Sequence, residues 1–237
     1  MQRIVLKISG EALSGDNGIG INYNKVKEIA EEIKELHNKG NVEISIVVGA
    51  GNICRGREAI KSGMNRTNAD YMGMLATIIN AMALQGVLEG LGKKAVVMTA
   101  ISMPIVADFY TRKEALKKLS EGYIVIFGGG TANPFFSTDT AAALRGAELG
   151  TNLILMAKNG VDGVYDSDPR FNNDAKRFTK LSHQDVLDRN LGVMDLTAAT
   201  ICAQNDIDIY VFDMNKKGNI SKATSDFSFG TLITNKK

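Results

Sequence analysis

Short apolar runs alternate with stretches of helical periodicity almost from end to end, and this rhythm constrains the fold more than any other feature of the chain. Candidate strands run over Ile4–Ile8, Val42–Val48, Lys94–Thr99, Tyr123–Phe127, Asn152–Met156 and Ile207–Phe212. Helical periodicity fills 22–38, 66–90, 111–120, 137–149 and 195–205. Strands separated by helices of this length predict parallel βαβ units and a sheet covered on both faces. Continuous runs such as Ile-Ser-Ile-Val-Val and Tyr-Ile-Val-Ile-Phe suit strands buried on both sides. At 237 residues the expectation is one extended α/β domain. Residues 160–180 break the rhythm with a turn-rich, polar stretch around Asp168-Pro169, which predicts a hairpin plus an excursion.

Three of these strands finish in bare backbone: Ser9-Gly10 after the first, Gly49-Ala50-Gly51-Asn52 after the second, Gly128-Gly129-Gly130-Thr131 after the fourth. In open parallel sheets ligands bind beyond the carboxyl ends of the strands. Glycine there lets N–H groups approach an anion closely, and a following helix adds its positive end. Three such loops on one edge predict a phosphate site. The spacing fits neither a P-loop nor G-x-G-x-x-G, because Gly92-Lys93-Lys94 lacks the leading glycine and Cys54 takes the third glycine position. Lys7, inside an apolar strand, is costly unless its charge is used. Arg55 follows the second loop, where a helix starting near Asn52 would carry its planar fork over two phosphate oxygens.

Other classes are disfavoured. A net charge of +2 with interspersed signs argues against a nucleic-acid partner that relies on broad phosphate neutralisation. Cys54 and Cys202 form neither a disulfide framework nor a zinc set and read as small reduced core residues; His37 and His183 suggest no metal pair. Met1-Gln2-Arg3 leads straight into the first strand without the apolar region of a signal peptide, so a cytoplasmic protein is expected. Residues 71–91 have the length of a membrane span, but Thr77, Asn80, Gln85, Glu89 and three glycines are expensive in hydrocarbon. A helix apolar over most of its circumference fits burial on two sides, against its own sheet and against a second subunit. No membrane partner and a homo-oligomer are expected.

The stretches LKISGEAL (6–13), GAGNICRG (49–56), GMNRTNADYMGMLAT (63–77), GGGTANPFFSTDTAA (128–142), AKNGVDGVYDSDP (157–169) and VMDLTA (193–198) resemble the amino acid kinase family, and within it the bacterial UMP kinase (uridylate kinase) branch, nearly end to end. The resemblance implies a three-layer αβα sandwich with a central, mainly parallel sheet, in a single domain over 1–237. Its acceptor part would span about 1–150 and its ATP part about 151–237. It implies a homohexamer, a trimer of dimers, acting in pyrimidine nucleotide biosynthesis by moving the γ-phosphoryl group of ATP to UMP, with Mg²⁺ carried on the nucleotide and no metal held by the protein's own residues. Lys7, Ile8 and the Ser9-Gly10 turn would hold ATP phosphates. Ala50 and Gly51 would bring amides to the UMP and ATP phosphates, and Arg55 would bridge them. Asp70 would accept the ribose hydroxyls. Thr131, Ala132, Asn133, Pro134, Phe135, Phe136, Ser137 and Thr138 would wrap uracil and phosphate, the phenylalanines shielding the bend. Asn159, Tyr165 and Asp168 would take the adenosine.

Two departures stand out: Ala50 and Ala132 occupy positions where the family commonly carries glycine. The turn Gly15, Asp16, Asn17, Gly18, Ile19 and Gly20 matches a GTP-site region of some members, whereas Val96 replaces an arginine found in GTP-responsive ones. With UMP as acceptor no general base is needed, because a phosphate monoester with a second pKa of about 6 is already largely anionic near neutrality. Asp139 has two open roles, capping the 137–149 helix or orienting Lys7 or a magnesium-bound water, and is counted with Lys7 and Arg55 as a catalytic candidate. Glu11 is expected to close its own loop, and Asp195 and Asp206 to be surface or cap residues. Two alternatives remain: a carboxylate kinase of the same family, acting for example on acetylglutamate, and a non-enzymatic nucleotide- or anion-binding protein.

Overall fold

The structure is a computed structural model that describes residues 1–15, 18–169, 171–172, 174–189 and 191–236. The chain begins with β1 (Gln2–Ile8), a 3₁₀ turn (Gly10–Leu13), α1 (Tyr23–Asn38), β2 (Val42–Val48), α2 (Gly56–Lys61) and α3 (Arg66–Gly90). It continues through β3 (Ala95–Thr99), β4 (Asp108–Phe109), α4 (Arg112–Ser120), β5 (Ile124–Gly128) and α5 (Thr138–Leu149). Then follow β6 (Leu153–Lys158), β7 (Val164–Tyr165), β8 (Arg177–Phe178), β9 (Lys180–Leu181), α6 (His183–Asp188) and α7 (Leu196–Gln204). β10 (Asp208–Asp213), α8 (Asn219–Lys222) and β11 (Thr231–Ile233) complete the order.

Nine strands form one sheet in the order β4-β3-β5-β2-β1-β6-β10-β11-β9. Neighbours are parallel except β10 and β11, and β7 with β8 makes a separate antiparallel ribbon. That ribbon is the hairpin expected within 160–180. The sheet has a core on each face. Ile4, Leu6 and Ile8 of β1 pack toward α1 and α3 with Ile44, Ile46 and Val48, whereas Val5 joins Val47, Phe127 and Met156 against α4, α5 and α7. Successive strand residues point to opposite faces, so Lys7 shares the α5 side with Val5.

The caps are local in sequence. Asn22, Asn65, Thr111, Ser137 and Asp195 each accept first-turn N–H groups of the helix they precede, and Ser182 with Asp185 closes a capping box on α6. Gly150, at φ +67°, ends α5 in the left-handed conformation.

α3 is long and apolar enough to cross a bilayer by length and composition. Here it packs on the sheet through Ala69, Met74, Ile78, Ala81, Leu84 and Leu88, and Tyr71, Met72, Leu75, Ile79 and Met82 are exposed on its outer side. Cys202 is buried and its thiol is pushed up to about 12, chiefly by burial; burial also raises the half-buried Cys54. Both are poor nucleophiles.

Candidate functional site

The three glycine-ended strands and β6 lie side by side as β5-β2-β1-β6. Their registers level the carboxyl ends: Ile8 lies opposite Val48 and Ala157, and Val47 opposite Phe127. The first two loops touch. A Cβ on Gly10 would stand 2.6 Å from Asn52 Oδ1, 2.7 Å from Gly49 O and 2.8 Å from Ala50 N. Within the second loop the N–H groups of Ala50 and Gly51 bond no described residue, as an anion-binding backbone requires. Ala50 does not have a positive φ, so the alanine there imposes no backbone strain.

Beneath these loops stands a buried charge cluster. Lys7 is 9% exposed, and its Nζ lies 2.7 Å from Asp139 Oδ1. Ser137 caps α5 with its own hydroxyl, and Asp139 faces Lys7. Lys158, the last residue of β6, donates from Nζ to Val193 O at 2.6 Å. Burial holds its pKa below the ordinary lysine range; Asp139 opposes that shift and Lys7 adds to it. Two lysines therefore flank one carboxylate at the centre of the sheet edge. Sequence reasoning missed Lys158 because the strand was expected to end at Met156, although a lysine closing Leu-Ile-Leu-Met-Ala carries the same signal as Lys7.

Arg55 is the N-cap of α2, which begins at Gly56 rather than near Asn52; residues 50–54 make a turn closed by Ile53 N and Cys54 N on Ala50 O, both at 2.9 Å. The side chain still folds back over the loop, donating to Gly51 O at 3.2 Å and pairing with Glu11 Oε1 at 3.1 Å. Glu11 thus faces Arg55 instead of closing its own loop.

On the β5 side, Gly129 (φ +78°), Gly130 (+57°), Ala132 (+62°) and Phe135 (+73°) bend the loop through left-handed conformations. Asp70 Oδ2 accepts Phe135 N at 2.8 Å and Arg66 Nε at 3.0 Å, and Arg66 lies 5.2 Å over the Phe135 ring. Thr131 and Asn133 bond each other, Pro134 is half-buried, and Phe135 and Phe136 are exposed rather than shielding the bend. Ser137 is not a free hydroxyl: it donates to Asp195, which also accepts Thr140 Oγ1 at 2.9 Å and Ala198 N at 2.9 Å. Asp195 is a cap, as expected, and in addition ties α5 to α7; Thr138 is half-buried at the start of α5. Below the loop, the buried Arg145 stacks 3.9 Å over Tyr110, pairs with Glu148 at 2.6 Å and reaches Gly130 O at 3.4 Å.

On the other side of β1, a cavity of about 470 Å³ has Lys158, Tyr165, Asp168, Arg189 and Val211 among its lining residues. Tyr165 donates to Asp162 at 2.7 Å. Asn159 is not in that lining and accepts from Asn215 Nδ2 at 2.8 Å. Gly18 and Ile19 border a second cavity of about 390 Å³ with Gly51 and Arg55. Gly15 and Gly20 flank that turn with positive φ, while Asp16 and Asn17 lie outside the described residues.

A parallel sheet with glycine loops and paired lysines at one edge defines a phosphate-handling α/β protein, and residues 2–213 match the amino acid kinase family. The chain belongs to that family. Among solved structures it is similar to the UMP kinase of Bacillus anthracis, at 40% identity and a TM-score of 0.95 over 100% of this chain and 97% of that one. The UMP kinase of Ureaplasma parvum matches at 39% identity and 0.93 over 98% of each chain. The uridylate kinase of Archaeoglobus fulgidus matches at 29% and 0.74 over 99% of this chain and 100% of that one.

Proposed function

We propose that the protein is a UMP kinase, which transfers the γ-phosphoryl group of ATP to UMP and releases UDP and ADP, a step of pyrimidine nucleotide biosynthesis. The observation that carries this reading is the Lys7–Asp139–Lys158 cluster under loops with unpaired amides, in a chain similar over its whole length to UMP kinases. The acceptor oxygen of UMP arrives anionic, so repulsion between two phosphates is the obstacle and charge neutralisation the remedy. Asp139, locked onto Lys7, acts as an orienting group rather than a base. Lys7 and Lys158 face the transferring group, Arg55 swings from Glu11 onto the bridging oxygens, and the Ala50 and Gly51 amides hold one nucleotide each.

The half up to about residue 150 takes UMP, with Asp70 on the ribose and residues 131–138 around the base. The half from about 151 takes ATP, with Tyr165 and Asp168 on the adenosine. Among the described residues no group of three or more His, Cys, Asp or Glu is placed to hold a metal, and Asp139 is already paired. Magnesium would enter with ATP, adding positive charge on the phosphates. The exposed stripe of Tyr71, Met72, Leu75, Ile79 and Met82 on α3 supports self-association, in line with the cytoplasmic homohexamer, a trimer of dimers, that the family resemblance implies.

Coupled detection of ADP with UMP, CMP, dTMP, acetylglutamate and aspartate as acceptors tests the reading. Turnover with UMP well above the others is expected, and turnover with none of them would leave only a nucleotide-binding protein. Arg55→Ala should lower kcat by about 10²- to 10³-fold with little loss of stability. Near-parental turnover would remove Arg55 from the reaction.

A further inference from the structure

Asn80 is fully buried in the middle of α3, in a stretch whose other buried side chains are almost all apolar. A buried amide is unfavourable unless its donors and acceptor are all used. Here they are. Its Nδ2 donates to Gly49 O at 2.8 Å and to Asn52 Oδ1 at 2.7 Å, and its Oδ1 accepts from Asn52 Nδ2 at 3.1 Å. Asn52, 2% exposed, spends its remaining N–H on Gly20 O at 2.7 Å, and its own carbonyl accepts Gly20 N at 2.8 Å. The two side chains thus form a closed, fully satisfied bridge between α3, the second glycine loop and the end of the 15–20 turn.

The bridge acts on the part of the loop that matters. Because the peptide bond is planar and trans, pinning Gly49 O fixes the direction of Ala50 N–H, one of the loop amides that bond no described residue. Asn52 Oδ1 is also the nearest atom to the missing Cβ of Gly10, so the same amide sets how closely the two phosphate loops approach. A leucine at position 80 would satisfy packing alone, as Leu84 and Leu88 do one and two turns further on.

We propose that Asn80 is a positioning residue for phosphoryl transfer, which acts through Asn52 to aim the Gly49–Asn52 loop at the phosphates. The inference rests on the phosphate-transfer reading above. It also makes the loop depend on how α3 is seated, since Ile79, next to Asn80, lies on the exposed stripe.

The test compares Asn80→Leu, Asn80→Ala and Asn52→Ala with Leu84→Ala, a core truncation one turn further along the same helix. Each full-length variant is measured below its own unfolding midpoint. Turnover with UMP gives kcat and KM, and calorimetric titration with MgATP gives a binding constant that does not depend on which acceptor the protein uses. For the three asparagine variants kcat should fall about 10- to 100-fold and MgATP binding should weaken in parallel, while folded Leu84→Ala keeps both. Asparagine variants that match Leu84→Ala in both readouts would reduce the bridge to a packing feature and overturn the proposal. Should Asn80→Leu not fold, Asn52→Ala opens the same bridge from the loop side and decides the matter. Absence of UMP turnover in the parent would overturn the acceptor assignment, and the MgATP titration would still judge Asn80.

Discussion

Gly10→Ala puts a single methyl group between the two phosphate loops. The added Cβ would meet Asn52 Oδ1, Gly49 O and Ala50 N at 2.6, 2.7 and 2.8 Å, where ordinary contact begins at 3.4 Å, so the loops must part by about 0.6–0.8 Å. None of the three atoms yields easily: two are backbone, and the third is held by Asn80. Overpacking of this kind costs about 1–3 kcal/mol. In a chain of this size that lowers Tm by roughly 2–12 °C. The larger effect is on the reaction, because a misplacement near 1 Å costs about 10²-fold. A coupled ADP assay with ATP and UMP, run beside thermal unfolding, should therefore show kcat/KM down by about two orders of magnitude in a protein that still folds. Retention of kcat/KM within about threefold, with an unchanged Tm, would refute the close approach of the loops and the role given to it.

Ala132 holds φ +62° without the freedom of glycine. Ala132→Gly should relieve that strain, gaining roughly 0.5–1 kcal/mol in urea unfolding after the entropy of glycine is counted; a loss of stability would refute it. Lys158 is expected to leave a signature in stability against pH. Its folded pKa lies below its unfolded value, so between the two the unfolded chain binds the extra proton and stability rises with pH. Lys158→Met should remove that rise, read as a parent stability that climbs relative to the variant's as pH approaches the ordinary lysine value; a difference that does not change with pH would contradict it.

Much of this was legible in the residues. The six long strands are legible within a residue or two because each is a continuous apolar run, and the five principal helices because helical periodicity runs through each of them. β4, β9 and β11 were not legible, and β7 and β8 only as a hairpin somewhere within 160–180, since two or three residues carry no periodicity and their pairing is decided by distant partners. In the site, Lys7 stood out as a charge inside an apolar run. Its pairing with Asp139 was legible only as one of two roles: the aspartate sits at a helix start, where local pattern equally allows a cap, and only the packing of α5 on β1 brings it to the lysine. The bond from Ser137 to Asp195 was not legible either, because the two residues lie 58 positions apart. Asn52 and Asn80 escaped notice for the same reason, as each is unremarkable until the other is beside it.

The central place of β1 has a consequence for how the chain is made. β1 pairs with β2 on one edge and with β6 on the other, and β6 comprises residues 153–158. At about 5–20 residues per second, synthesis leaves the second edge of β1 unsatisfied for roughly 7–30 s. For that interval the nascent half-protein exposes a strand of Ile, Val and Leu, ready to zip onto a neighbouring nascent chain. Arg3 and Lys7 lie on that strand, and charges there resist strand-to-strand pairing between chains. The lysine proposed to serve the reaction in the finished enzyme is thus also a guard on the ribosome, before there is any site to serve.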